Sequence, residues 1–288
     1  MLVTIGLPFY NCEKTLQTTI QSIFAQTYSE WELVLIDDGS SDRSLELAQS
    51  IKDPRVKVYH DGENRGLVYR LNQITSLAKG EYIARMDADD IMHPERIKKQ
   101  LEFLQSNPDI DLIGTRAYII NENDDIVGKR KVIGDNIEPH IVLAKGLFIH
   151  PTVMGKAEWF RSNLYSQEYV RAEDHEIWVR TLETSNFFIL EEPLLFYREN
   201  SCINLKNYRL SCKTDRKIFR NYGPNSVGRI ETVKLVVKSC LKEYIYILFS
   251  MLKAEQFLIN KRNNHIVDAE LVETGMLIER IQKCKLPI

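Results

Sequence analysis

Over its first hundred residues the chain alternates between a hydrophobic period of two and a period near 3.6, and no other feature restricts the fold as tightly. Residues 2–7, 32–36, 56–60 and 81–86 read as strands, and residues 13–26, 42–51 and 66–78 between them read as amphipathic helices. A βαβαβαβ series of this kind requires parallel pairing, with helices covering both faces of the sheet. Asp42 and Asn64 mark helix entries, while Asp53-Pro54 and Lys79-Gly80 mark exits. A further helix spans 94–106, with Pro94 in its first turn and Asn107-Pro108 ending it. Residues 112–120 and 126–132 then form two strands joined by a polar turn at 121–125. A helix follows at 173–183, with short strands near 187–190 and 194–197. Beyond Arg198 the strand signals cease, and helices are expected at 209–222, 231–259 and 266–283, the first two separated at Gly223-Pro224. The domain boundary falls near residue 200. Residues 1–200 form the α/β unit, divided into halves of about 1–110 and 111–200, and residues 201–288 form a helical extension.

A chain of 288 residues with 44% hydrophobic and 27% charged residues can bury a core without covalent staples. Its five cysteines, Cys12, Cys202, Cys212, Cys240 and Cys284, form no C-x-x-C pair. A disulfide framework and a zinc cage are therefore excluded, and a reducing cytoplasmic setting is expected. Residues 2–7 lack a basic leader and a cleavage site, so they read as a strand and not as a signal peptide. The longest apolar run, 244–252, is too short for a membrane-spanning helix. The net charge of -2 conceals a division. Residues 1–197 carry 21 basic and 31 acidic side chains, whereas residues 198–262 carry 14 and 5. The acidic front leaves no continuous basic face for nucleic acid.

In an open α/β sheet, ligands bind beyond the carboxyl ends of the strands. Three such ends carry unusual residues: Pro8 to Asn11, Asp37 to Asp42, and Asp87-Ala88-Asp89-Asp90. Neither G-x-G-x-x-G nor a P-loop lysine motif follows the first strand, so glycine-cradled phosphate binding is excluded. Asp87 and Asp89, in D-x-D spacing between a strand and a helix, suit a hard divalent cation, although a solvated helix-capping turn would look the same. The Asp37-Asp38 pair could accept hydrogen bonds from a base or ribose, or could be loop acids in water. Of Arg65 and Arg70, the latter reads as a surface arginine. Glu173-Asp174-His175 opens a helix, where acids favour the macrodipole but could also supply a general base. His175 and His150 lack metal-spaced partners. His175 reads as a pocket or helix-cap residue and His150 as a packed one; the alternatives are a metal role for His175 and an acceptor-side position for both.

Taken in order, Thr4 to Asn11, Ile36 to Asp42, Asn64-Arg65-Gly66 with Asn72, Gly80 to Asp90, and Glu173-Asp174 with Trp178 closely resemble the family 2 glycosyltransferases over roughly residues 2–200. The resemblance implies a GT-A fold, a Rossmann-type mostly parallel sheet flanked by helices. It also implies a nucleotide-diphosphate-sugar donor, a divalent metal, Mn²⁺ or Mg²⁺, and inversion at the anomeric carbon. By the same resemblance, Pro8, Tyr10 and Glu13 line the nucleotide pocket, Asp38 bonds a uracil-type base and Arg65 lies near it. Asp87 approaches ribose or metal, Asp89 binds the metal, Asp90 contacts the sugar, and Asp174, with Glu173 second, is the base.

The expected function is an inverting transfer of sugar, from a UDP-sugar, to a hydroxyl of a glycan or polyprenyl-diphosphate-linked acceptor in surface polysaccharide synthesis. Two other readings compete with it. A sugar-nucleotide-binding module would bind the donor without turnover, and a nucleotidyltransferase would release pyrophosphate. After residue 200 the resemblance fades. There the apolar residues of 229–260 recur at helical spacing beside Lys234, Lys238 and Lys242. Such a helix packs on the catalytic unit or lies on an anionic membrane surface, which would make the protein peripheral on the inner face of the plasma membrane.

Overall fold

The computed structural model describes all residues except 132–136, 200–203, 253, 255–256 and 258–261. The end of the expected strand at Val132, the boundary at residue 200, Cys202 and the distal part of the 231–259 helix lie within or among those exceptions, outside the described residues. Strands β1 (Val3–Phe9), β2 (Trp31–Asp37), β3 (Val56–Tyr59) and β4 (Tyr82–Arg85) alternate with helices α1 (Leu16–Phe24), α2 (Ser44–Ser50) and α3 (Leu67–Leu77). They pair in parallel in the order β3-β2-β1-β4. Every residue of β1 and β2 is buried, as expected for strands covered on both faces. Successive side chains of β2 serve opposite cores. Leu33 and Leu35 pack with Leu16, Ile20 and Leu101, whereas Val34 and Ile36 pack with Leu71, Ile74 and Trp178.

Past β4 the sheet becomes mixed. The order continues β8 (Met154–Lys156), β6 (Leu112–Ile120), β7 (Ile126–Arg130) and β10 (Asn263–Asn264), and β6 also pairs in parallel with β9 (Phe187–Arg198). The short strand β5 (Ile91–Met92) runs antiparallel to β9. The remaining helices are α4 (Arg96–Ser106), α5 (Pro139–Lys145), α6 (Ala157–Ser162), α7 (Glu173–Thr181), α8 (Leu205–Ser226), α9 (Arg229–Met251) and α10 (Asp268–Gln282). Among the described residues, no helix is long and apolar enough to cross a membrane.

Four expectations are corrected. The two short strands at 187–190 and 194–197 are one strand, β9, in which Glu191-Glu192 form a register shift between the Leu190–Thr115 and Pro193–Arg116 pairs with β6. Strand structure does not cease at Arg198, because β10 pairs with β7. Pro224 lies inside α8 and not between helices. Near a helix end it forfeits one backbone bond, and the chain reverses instead at Gly228, whose φ of 84° is open to glycine. The fourth is Arg70, treated with the site. Elements β5, α5, β8 and α6, within 91–162, carry weak periodic signals because they are short.

Candidate active site

The loops after β1, β2 and β4 converge at the carboxyl end of the parallel strands. The β2 loop is shaped by its own acids. Both Asp37 oxygens accept from the Ser40 N–H, a local turn that accounts for this residue without a ligand. Gly39 has φ 77°, and a Cβ there would lie 2.9 Å from the Asn64 backbone nitrogen, so the loop closes on the α3 entry only with glycine. Asn11 Oδ1 accepts from the Ser41 N–H, and Asp42 accepts from the N–H groups of Glu13 and Ser44, so the first two loops are laced together.

Asp38 accepts from the N–H groups of Arg65 and Gly66 and from Arg70 Nε at 2.8 Å. Arg70 is thus no surface arginine. It has no exposed area, and its guanidinium also pairs with Asp61 at 2.6 Å, which holds the Asp61 carboxyl well below its usual range. The spacing of Arg70 on α3 gave no sign of this, because both carboxylates arrive from other segments. Arg65 remains partly exposed, paired with Asp61 and Glu63 and set over the Tyr69 ring.

A cavity of about 680 Å³ opens beside these loops. Of the expected site residues it is lined by Arg65, Asp87, His150, Glu173 and Asp174. Asp38 braces its wall from behind, through Arg65 and Gly66. Asp87, Asp89 and Asp90 bring a carboxylate oxygen each to within 4.8 Å of one another. Asp89 is exposed, yet the protein crowded around its carboxylate, and then the charge of Asp87, raise its pKa to about 6. Burial, and then the charges of Asp89 and Asp87, raise the pKa of Asp90 well above the usual carboxylate range. Asp90 Oδ1 accepts from the Arg198 N–H, while its Oδ2 is buried with no hydrogen-bond partner among the described residues. Crowded hard oxygen donors, one of them orphaned, are the set a divalent cation suits.

Glu173 and Asp174 open α7. Burial, then the Asp174 charge, raises the Glu173 pKa to about 7, and burial raises that of Asp174 as well. His150 is buried, 2.9 Å from the Tyr165 hydroxyl, and desolvation keeps its imidazole neutral. Asn72 holds Tyr165 in place by exchanging two hydrogen bonds with its backbone.

Other expected residues fall outside the cavity lining. Pro8 is buried in β1, Tyr10 is half exposed, and Glu13 accepts from the Arg43 N–H over a separate depression. His175, expected on the acceptor side or as a pocket or cap residue, contacts Asp215 at 3.0 Å through Nδ1 and the Val142 and Leu143 carbonyls through Nε2. It therefore ties α7 to α5 and α8. Sequence reasoning missed Arg85, which is buried, lines the cavity and stands 2.6 Å from Asp87. A charged residue in an otherwise apolar strand is the signal that could have identified it.

The mixed α/β sheet, with Asp87 of the acidic cluster and the Glu173-Asp174 pair on one cavity, has the GT-A glycosyltransferase fold of the solved structures that it resembles. Staphylococcus aureus TarS residues 1–349, solved in complex with UDP-GlcNAc, matches with a TM-score of 0.62 at 16% identity over 83% of this chain and 72% of that one. The model of glycosyl transferase family 2 matches residues 4–177, and the chain belongs to that family. EpsE of Bacillus subtilis, named as a glycosyltransferase, is 36% identical over 208 residues, covering 69% of this chain and 73% of its own. The Escherichia coli UDP-Glc:α-D-GlcNAc-diphosphoundecaprenol β-1,3-glucosyltransferase WfgD is 31% identical over 186 residues, covering 64% and 71%.

Proposed function

We propose that the cavity binds a nucleoside-diphosphate sugar, specifically a UDP-sugar, and transfers the sugar with inversion to a hydroxyl of a glycan or lipid-linked acceptor in surface polysaccharide synthesis. The observation that carries this reading is the joint presence, on one cavity, of Asp87 from the three-carboxylate cluster and of the high-pKa pair Glu173 and Asp174. In this reading Asp89 and Asp87 hold Mn²⁺ or Mg²⁺, and the bound cation supplies neutralisation of the departing diphosphate. Asp174, with Glu173 in support, takes the proton from the attacking hydroxyl. Arg85, 2.6 Å from Asp87, holds that carboxylate in place. Arg65 and the Asp38-braced α3 entry flank the base and ribose, Pro8, Tyr10 and Glu13 border the nucleotide, Asp90 approaches the sugar, and His150 faces the acceptor.

The names of two similar proteins support the choice of ligands: UDP-GlcNAc is bound by TarS, and WfgD acts on a diphosphoundecaprenol-linked sugar. A panel of UDP-, GDP- and TDP-sugars with Mn²⁺ or Mg²⁺ and lipid-linked glycan tests the reading. Release of nucleoside diphosphate is expected with a UDP-sugar. Donor binding without release would favour a binding module, and pyrophosphate release would favour nucleotidyl transfer.

The exposed face of α9 extends the proposal to an anionic membrane surface. Ile230, Val233, Val237, Leu241, Tyr244, Leu248 and Met251 form one solvent-facing apolar stripe, each more than half exposed. Lys234, Lys238 and Lys242 run beside it, and each basic side chain near an anionic leaflet contributes about 1 kcal/mol. Co-sedimentation with vesicles should rise with phosphatidylglycerol content and fall in the Val237→Glu/Leu241→Glu variant. Sedimentation indifferent to both would refute membrane docking.

A further inference from the structure

A second cavity, of about 320 Å³, adjoins the first and shares Arg130, Phe148 and Ile149 with it. Five cationic side chains reach it from separate parts of the chain: Arg116 on β6, Arg130 and Lys131 at the end of β7, Lys242 on α9 and Arg262 next to β10. No carboxylate lines it among the described residues. Glu199, outside the lining, is shared by Arg130 and Arg262 at 3.2 Å each, and the mostly exposed Glu191 pairs with Arg116. Arg262 is further held by the Tyr246 hydroxyl at 2.7 Å, which fixes its planar fork. The floor, residues 147–149, is apolar apart from its backbone.

Such an arrangement suits an anion with several oxygens, which guanidinium forks and an ammonium group can share. The donor's diphosphate has its own place at the acidic cluster in the reading above, and a neutral glycan has no use for converging cations. We propose that this cleft binds the diphosphate of a prenyl-diphosphate-linked acceptor, placing its sugar toward the catalytic cavity. The inference rests on the proposed transfer reaction and deepens it by giving the acceptor's charged group a site. The position of Lys242 supports the lipid-linked source. It lies on the same helix as the exposed apolar stripe, so a diphosphate at the cleft would have its hydrocarbon chain beside an apolar surface.

The test is calorimetric binding of farnesyl diphosphate, farnesol and inorganic pyrophosphate to the full chain in EDTA, where cation-dependent donor-site binding is suppressed. Farnesyl diphosphate is expected to bind, farnesol not to bind, and pyrophosphate to bind at least about tenfold more weakly. The Lys242→Ala/Arg262→Gln variant should lose about tenfold or more in farnesyl diphosphate affinity while still binding UDP with Mn²⁺, which verifies its fold. Lys242→Arg should retain binding, and Asp89→Asn should leave it unchanged. The proposal is overturned if the double variant binds as the natural protein does. It is also overturned if pyrophosphate binds as tightly as the prenyl ester, or if Asp89→Asn, which removes a repelling charge from the metal-free donor site, tightens binding about tenfold, which would put the probe there. A donor panel that releases no nucleoside diphosphate would count against the transfer reaction and not against this binding result.

Discussion

At the scale of the residue, the site is governed by carboxylates held where ionisation is costly. Asp89 has its pKa raised to about 6, so above that pH it is an unrelieved charge that a cation stabilises, and below it a proton competes with the cation. Mn²⁺ affinity measured by calorimetry should therefore be level above about pH 7 and fall about tenfold per unit below pH 6. Affinity unchanged from pH 5 to 8 would remove Asp89 from the cation site. In the proposed transfer the Glu173 and Asp174 pair is ionised to accept a proton, and with Glu173 near 7 the pair loses negative charge as pH falls. Turnover at saturating Mn²⁺ should accordingly decline on the acid side of about pH 7. Asp174→Asn should reduce turnover by about 10²- to 10⁴-fold with UDP binding retained. Near-normal turnover would transfer the role of base to another group.

At the scale of the element, burial decides what a polar side chain is for. Arg70 on α3 lies between Asp38 and Asp61, joining the β2 loop to the segment that precedes the helix. Arg70→Ala leaves Asp38 buried without its charged partner, and urea unfolding should show a loss of about 3–5 kcal/mol. A loss below about 1 kcal/mol would mean that water replaces the guanidinium freely. Helix α10 has a similar standing. Ile278 and Ile281 pack against Ile91, Tyr118 and Phe196, and Gln21 of α1 donates to the Gln282 and Cys284 carbonyls. Ile281→Ala should destabilise the chain by about 2–5 kcal/mol, read in the same experiment.

At the scale of the whole molecule, the two charge blocks have distinct fates. The acidic front supplies Asp87, Glu173 and Asp174 to the lining of the candidate site, with Asp38, Asp89 and Asp90 beside it. Part of the basic stretch is structural, with Arg209 and Arg216 on Glu243, Lys217 on Glu168, and Arg198 on the Asp89 carbonyl. The segment after residue 200 also returns to the α/β unit through β10 on β7 and α10 on α1. A chain truncated after residue 264 should therefore unfold at a lower urea concentration by tryptophan fluorescence, whose reporters Trp31, Trp159 and Trp178 all lie before residue 200. An unchanged midpoint would make the extension an independent unit.

The amino-acid sequence by itself determined the parallel α/β half and the acidic positions at its strand and helix ends. Both depend on local periodicity, which places Asp87 and Asp89 after a strand and Glu173 and Asp174 at the start of a helix. Tertiary structure alone decided which of these groups share a cavity. It buried Arg70 between two carboxylates, turned His175 toward α5 and α8, set Arg85 against Asp87, and drew five cations from β6, β7, α9 and the β10 approach into one cleft. These outcomes depend on distances between segments far apart in the chain, and neither spacing nor composition encodes where such segments meet.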